Sequence, residues 1–124
     1  MSNIHEVSPK ASLALIQKGT LLVDVREPYE VAKKSFDVPD ILTIPLRQLE
    51  KRFKEIPVNR KIVVACHSGS RSVMATRFLM DHGYSKAVNM QHGIVGWERE
   101  GLPLKTEQKQ KTGSWFTKMF KRSA

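Results

Sequence analysis

The sequence has one cysteine, Cys66, and no long apolar run. A single cysteine excludes an intramolecular disulfide, which is typical of a reducing compartment. No stretch approaches the length of a membrane-spanning helix, and the first ten residues lack the apolar centre of a secretion signal. The four histidines are scattered, and no pair lies at the spacing of metal ligands. We therefore expect a cytoplasmic protein that needs no metal and no cofactor.

Acidic residues are also scarce, with 12 Asp and Glu against 21 Lys and Arg and a formal net charge of +9. Residues 105–124 hold six Lys and Arg against one Glu, a net of +5, so much of the excess lies in the C-terminal segment. Such charge attracts anions, acidic proteins, nucleic acid or anionic lipid without choosing among them. The length of 124 residues and a hydrophobic fraction of 40% indicate one globular domain.

Apolar runs alternate with amphipathic stretches along the chain. The strands are expected at residues 20–25, 41–44, 62–65 and 87–90. The helices are expected at residues 9–17, 46–56, 72–82 and 93–100, with a short helix or turn from residue 27. Alternating strands and helices imply right-handed crossovers. The pattern therefore predicts an α/β fold with a small, mainly parallel sheet and helices on both of its faces.

Cys66 directly follows the most apolar of these strands and precedes a loop of small polar residues. Ligands of parallel sheets bind beyond the carboxyl ends of the strands. Amide N–H groups of a tight loop and of a helix start can converge on an anion there, and Gly69 permits the positive φ that such a turn needs. With Arg71 nearby, this setting favours a thiolate. Cys66 is therefore predicted to be a nucleophile rather than an inert buried thiol.

The residues that follow Cys66 have two interpretations each. His67 is either a general acid or base or an exposed loop residue, and the alternation of side chains along extended backbone favours the exposed interpretation. Ser68, Ser70 and Ser72 either donate hydrogen bonds to sulfur oxyanions or serve as turn and cap residues. Ser72 is expected at the N-cap of the following helix.

Three segments of the chain resemble single-domain rhodaneses. Residues 66–72 are similar to the active-site loop of that family, Cys-x-x-Gly-x-Arg, and residues 24–30 to its Asp-x-Arg segment. Residues 89–104 resemble the closing segment, a short helix with Trp followed by Gly-Leu-Pro. The resemblance implies a rhodanese-like domain over residues 1–104, and residues 105–124 form a basic amphipathic tail.

The resemblance implies that the protein is a sulfurtransferase. The Cys66 thiolate would take the outer sulfur of a small anionic donor such as thiosulfate or polysulfide, and the persulfide would pass it to a thiol or to a protein. Residues 67–72 would bind the substrate, with Arg71 orienting the loop and binding the donor's charge. Asp24 and Arg26 would lie near the site, with Asp24 as the partner of an arginine. The alternatives are a turn residue at the strand end for Asp24 and a solvated cation for Arg26, and a structural role is favoured for both, because charged residues near a buried sheet end usually form pairs. The tryptophan of the closing segment, Trp97, is expected in the core.

Two other functions remain open at this point. A persulfide carrier or regulatory module would keep the same cysteine and differ only in its partner. A phosphatase or arsenate reductase is less favoured, because its loop needs an arginine after five intervening residues. Arg71 follows Cys66 after four intervening residues, Ser72 occupies the position after five, and no second cysteine is present to resolve a disulfide.

The tail contains a short amphipathic pattern, in which Trp115, Phe116, Met119 and Phe120 recur at helical spacing beside basic residues. A segment of this kind can make weak contact with an anionic membrane surface. A helix packed against the domain or a frayed terminus is favoured instead, because the segment is barely three turns long. No nucleic-acid partner is expected, since basic and aromatic residues coincide only in this tail.

Overall fold

The computed structural model describes residues 3–106, so the predicted tail beyond residue 106, with its amphipathic pattern, lies outside the described residues. Within that range the strands are β1 His5–Val7, β2 Leu21–Asp24, β3 Lys34–Phe36, β4 Ile41–Thr43, β5 Ile62–Ala65, β6 Ala87–Met90 and β7 Leu104–Thr106. The α-helices are α1 Pro9–Gln17, α2 Pro28–Lys33, α3 Leu49–Arg52, α4 Ser70–Asp81 and α5 Gly93–Arg99. None of the helices in residues 3–106 has the length and apolar character that crossing a bilayer requires.

Five of the strands form one parallel sheet in the order β1-β6-β5-β2-β4. The central strand β5 and its neighbour β2 are buried along their whole length, as expected for parallel strands that are covered on both faces. The predicted α/β class and parallel sheet are confirmed. The strand order brings the carboxyl ends of β2 and β5 together, because Asp24 pairs in register with Ala65.

Successive side chains of β2 and β5 enter two separate hydrophobic clusters, one on each face of the sheet. Val23 and Val64 pack on the face that α3 and α4 cover, where Leu79 is fully buried. Leu22 and Val63 pack on the opposite face, which α1 and α5 cover. The helices therefore lie on both faces of the sheet, as the sequence pattern predicts.

The predicted helix over residues 46–56 is instead a chain of short turns. A 3₁₀ turn at Leu46–Gln48, the four-residue α3 and a second 3₁₀ turn at Phe53–Glu55 follow one another. The apolar side of the predicted helix still faces the core, because both Leu49 and Ile56 are buried. The hydroxyl of Tyr84 donates to the carbonyls of Phe53 and Ile56 at 2.9 and 2.6 Å. This tertiary contact uses carbonyls that a continuing α-helix would bond internally.

A second, two-stranded sheet joins β3 to β7 in antiparallel register, and the sequence pattern does not predict it. Each strand has only three residues, too few for a recognisable alternation. Lys105 and Thr106 pair with Ser35 and Lys34 in this sheet. Two residues that the sequence pattern assigns to the tail therefore belong to the folded domain.

Candidate active site

Cys66 lies directly after the last residue of β5 and is completely buried. Burial alone would equally describe a structural cysteine. What distinguishes this thiol is its hydrogen bonding, because the backbone N–H groups of Gly69 and Ser72 donate to Sγ at 3.1 and 3.3 Å. Two amide donors that converge on one sulfur stabilise negative charge on it. The predicted cradle of amides around the sulfur is therefore present.

The cradle depends on the backbone conformation of Gly69, which is the N-cap of α4 and has a φ of 112°. A β-carbon there would be strained and would approach the backbone nitrogen of His92 to 3.2 Å. The left-handed turn at Gly69 folds the chain back over the sulfur and starts the helix at Ser70. The first free N–H groups of the helix consequently face the end of β5.

The expectation that Ser72 caps this helix is wrong. Ser72 lies inside α4 and is buried, because the helix begins two residues before the predicted start. Its N–H points at Sγ, its hydroxyl oxygen lies 3.4 Å from Sγ, and that hydroxyl donates to the Gly69 carbonyl at 3.1 Å. Ser72 thus contributes a donor to the sulfur and also ties the loop to the helix.

Arg71 forms a two-pronged ion pair with Glu30 of α2. Its terminal nitrogens donate to the Glu30 carboxylate at 2.7 and 2.8 Å. These bonds are the main reason why the pKa of Glu30 falls from 4.5 to about 2, against the opposing effect of its burial. The same pairing raises the pKa of Arg71. The family resemblance assigns the Arg71 charge to the donor, whereas in the structure this charge is matched by a carboxylate.

The pairing with Arg71 gives Glu30 a role that the sequence does not suggest. Glu30 also accepts the backbone N–H of Glu27 at 2.9 Å, as the third residue of α2 in a capping box. This local contact holds the Glu30 carboxylate in the position in which it binds the Arg71 guanidinium. The sequence shows a glutamate three residues after Glu27, which is the spacing of a capping box. It does not indicate that this glutamate contacts the loop after β5.

Asp24 and Arg26 form a buried ion pair beside the loop, as the sequence predicts. The Arg26 guanidinium donates to the Asp24 carboxylate from Nε at 3.0 Å and from Nη2 at 2.8 Å, and the two side chains are 2% and 0% exposed. The guanidinium also lies over the ring of Phe36, 5.6 Å from its centre. The Asp24 carboxylate thus neutralises the buried charge of Arg26, and the contact with Phe36 links the end of β2 to β3.

Helix α5 holds the other side of the loop. The backbone N–H groups of Ile94 and Val95 donate to the carbonyls of Cys66 and His67 at 3.0 and 3.1 Å. The helix comes this close because Gly93 has no side chain, and a β-carbon there would lie 2.4 Å from the Cys66 oxygen. The loop carbonyls are thereby turned towards α5. The sequence gives Gly93 no distinction beyond its place in the closing segment.

The remaining loop side chains lie at the surface. His67, Ser68 and Ser70 are exposed, in agreement with the favoured interpretation of His67. Trp97, in contrast, is fully buried, and its indole N–H donates to the Pro103 carbonyl at 2.7 Å. Trp97 therefore belongs to the core, as predicted.

Comparisons with known proteins agree with this geometry. The family model for the rhodanese-like domain matches residues 8–100. A sulfurtransferase of Allochromatium vinosum is 43% identical over 87 residues, which cover 70% of this chain and 79% of that protein. A thiosulfate sulfurtransferase GlpE of Pseudomonas syringae is 29% identical, over 87% of this chain and 99% of that protein.

Solved structures show the same fold. The polysulfide-sulfur transferase homodimer of Wolinella succinogenes superposes with a TM-score of 0.73 at 27% identity, covering 82% of this chain and 78% of that one. The family model spans most of the chain, and its range includes the cysteine loop, the Asp24–Arg26 pair and α5. The chain belongs to the rhodanese-like domain family, whose relatives include sulfurtransferases.

Proposed function

We propose that the protein transfers a sulfane sulfur from a small anionic donor to a thiophilic acceptor through a persulfide on Cys66. The observation that carries this proposal is the pair of N–H groups, from Gly69 and Ser72, that donate to Sγ. They stabilise a thiolate before the reaction and a sulfur-bearing anion after it. A cytoplasmic, reducing site of action fits, because it keeps the thiol free.

The first half-reaction loads the cysteine. The Cys66 thiolate attacks the outer sulfur of thiosulfate, a new S–S bond forms at Sγ, and sulfite leaves with the electron pair of the S–S bond that breaks. A polysulfide donor reacts in the same way, with the shortened polysulfide as leaving group. The names of the relatives, a thiosulfate sulfurtransferase and a polysulfide-sulfur transferase, support both donor classes.

The second half-reaction empties the cysteine. A thiolate or cyanide attacks the outer sulfur of the persulfide, and the S–S bond breaks towards Sγ, which becomes a thiolate again. Separate loading and unloading steps on one nucleophile predict ping-pong kinetics.

The ion pair between Arg71 and Glu30 argues against a phosphatase. A cysteine phosphatase needs its loop arginine free to hold a doubly charged oxyanion. Here the terminal nitrogens of Arg71 are engaged by a carboxylate whose pKa is about 2, so the carboxylate stays charged at neutral pH. A loop whose arginine is paired in this way, and follows Cys66 after four residues instead of five, favours sulfur transfer over phosphate hydrolysis.

The deciding experiment measures the intact mass of the purified full-length chain after incubation with thiosulfate or polysulfide, without reductant. We expect a gain of one sulfur atom that cyanide removes as thiocyanate, and no gain in Cys66→Ser. A wild-type chain that never gains sulfur from either donor contradicts the proposal. A chain that loads but releases sulfur only to a protein acceptor would identify it as a carrier, the alternative function of the same persulfide.

A further inference from the structure

A cavity of about 270 Å³ borders the active-site loop at His67. It lies between α2, which supplies Tyr29 and Lys33, and the first turn of α5, which supplies Ile94 and Val95. The backbone of these two α5 residues is the part that bonds the carbonyls of the loop. The same two residues of α5 therefore line the cavity and hold the cysteine loop in place.

The volume of the cavity exceeds what the inorganic donor needs. A cavity of this volume is close to the lower end of the range for small-molecule sites, about 300 to 1,000 Å³. Thiosulfate has only five heavy atoms, so it would fill only part of this volume. The cavity therefore fits a molecule with an organic body next to the sulfur that reacts.

Three of the residues that line the cavity are aliphatic or aromatic. Val95 supplies aliphatic surface, Ile94 borders the cavity although it is only 2% exposed, and Tyr29 is 66% exposed although it is aromatic. An exposed aromatic ring beside aliphatic groups offers contact area to a short hydrocarbon chain. A ligand with at least two or three methylene groups would use this surface.

The charges around the cavity leave one cation available. Lys34 is paired with Glu98 at 2.6 Å. Two other charged residues of the wall are also paired, Arg26 with Asp24 and Glu30 with Arg71. Lys33, which is exposed, has no ion pair within residues 3–106. A carboxylate on the ligand would find its partner there.

We infer that this cavity is the acceptor subsite and that it takes a small thiol carrying a carboxylate. The inference rests on the proposed function, since it names the class of molecule that empties the Cys66 persulfide. The apolar wall holds the short chain, Lys33 binds the carboxylate, and the sulfur reaches the loop beside His67. The acceptor thiolate bonds to the outer sulfur, the S–S bond to Sγ breaks, and the products are an acceptor persulfide and the Cys66 thiolate.

The test begins with the full-length protein after Cys66 has been loaded to completion and the donor removed. The rate at which the persulfide mass disappears is measured with three thiols of similar size: 3-mercaptopropionate, which is anionic, 2-mercaptoethanol, which is neutral, and cysteamine, which is cationic. Each rate is divided by that of the wild type with the same thiol. The ratio removes the intrinsic nucleophilicity of each thiol from the comparison.

Replacing the cation tests the charge of the subsite. We expect Lys33→Gln to slow 3-mercaptopropionate by roughly 1.4- to fivefold at low salt, the range for one exposed charge pair, and to leave 2-mercaptoethanol unchanged. Lys33→Glu should slow the anionic thiol further and accelerate cysteamine. Lys51→Gln is the matched control, because Lys51 is an exposed lysine on α3, on the opposite face of the sheet.

The outcomes separate the subsite from the function. If the wild type takes up no sulfur, the proposed function and the subsite fail together. If the persulfide forms and reacts with all three thiols, but the Lys33 variants change the three rates equally or not at all, the function stands and the subsite is refuted. If only a protein acceptor empties the persulfide, the small-thiol subsite is likewise refuted.

Discussion

Gly93→Ala should damage both the fold and the cysteine loop, because α5 approaches the loop only where residue 93 has no side chain. A β-carbon would lie 2.4 Å from the Cys66 oxygen and 2.5 Å from the His67 oxygen. Both neighbours are backbone atoms, so neither can rotate away. The helix must retreat instead, and the N–H bonds that Ile94 and Val95 make to these two carbonyls lengthen.

The expected loss of stability follows from three contributions. Residue 93 has a φ of 52°, a left-handed conformation that costs alanine about 1 to 2 kcal/mol. Overpacking against rigid backbone costs about 1 to 3 kcal/mol, and two weakened hydrogen bonds cost about 1 kcal/mol each. The sum is about 4 to 7 kcal/mol, a large part of the stability of a typical small domain.

A matched control is available at Gly101, which has a φ of 73° but no atom within 4 Å of the position that a β-carbon would take. Gly101→Ala should cost only the conformational part, about 1 to 2 kcal/mol. Urea unfolding followed by circular dichroism gives both values, and mass spectrometry of the folded protein gives the extent of sulfur loading. If Gly93→Ala is no less stable than Gly101→Ala and loads sulfur at the wild-type rate, the reasoning is refuted.

Three further predictions concern the groups around the loop. Glu30→Gln should lower stability by about 1 to 3 kcal/mol at neutral pH. The pKa of Glu30 in the folded protein is lowered from 4.5 to about 2. The wild type should therefore exceed the variant in unfolding free energy by the full amount above pH 4.5, and this difference should disappear as the pH falls towards 2. Urea unfolding of both proteins at several pH values measures it, and a difference that stays the same at every pH would contradict the reasoning. Asp24→Asn should cost about 3 to 5 kcal/mol, since it leaves the charge of Arg26 buried without its partner; a thermal midpoint equal to the wild type would contradict this. Trp97→Ala should cost about 3 to 5 kcal/mol because the ring is fully buried, and a loss of less than 1 kcal/mol in urea unfolding would show that the ring does not hold the core together.

The fold class and the position of Cys66, the proposed nucleophile, can be predicted from the sequence because both depend on local patterns. The apolar runs that form β2 and β5 are long enough to be recognised as buried strands. A parallel sheet then sends the residue after β5 to the functional edge, which is where Cys66 lies. The burial of Trp97 and the pairing of Asp24 with Arg26 also follow from residue type and from a separation of two positions.

The sequence alone determined the parallel α/β fold, the family and the cysteine that we propose as the nucleophile, whereas the tertiary structure decided what surrounds that cysteine. Glu30 meets Arg71 across 41 positions, and Gly93 meets the Cys66 carbonyl across 27. Contacts between residues this far apart in the sequence leave no periodic pattern from which they could be predicted. The role of Ser72 differs from the prediction because the left-handed turn at Gly69 starts α4 at Ser70, two residues earlier than expected.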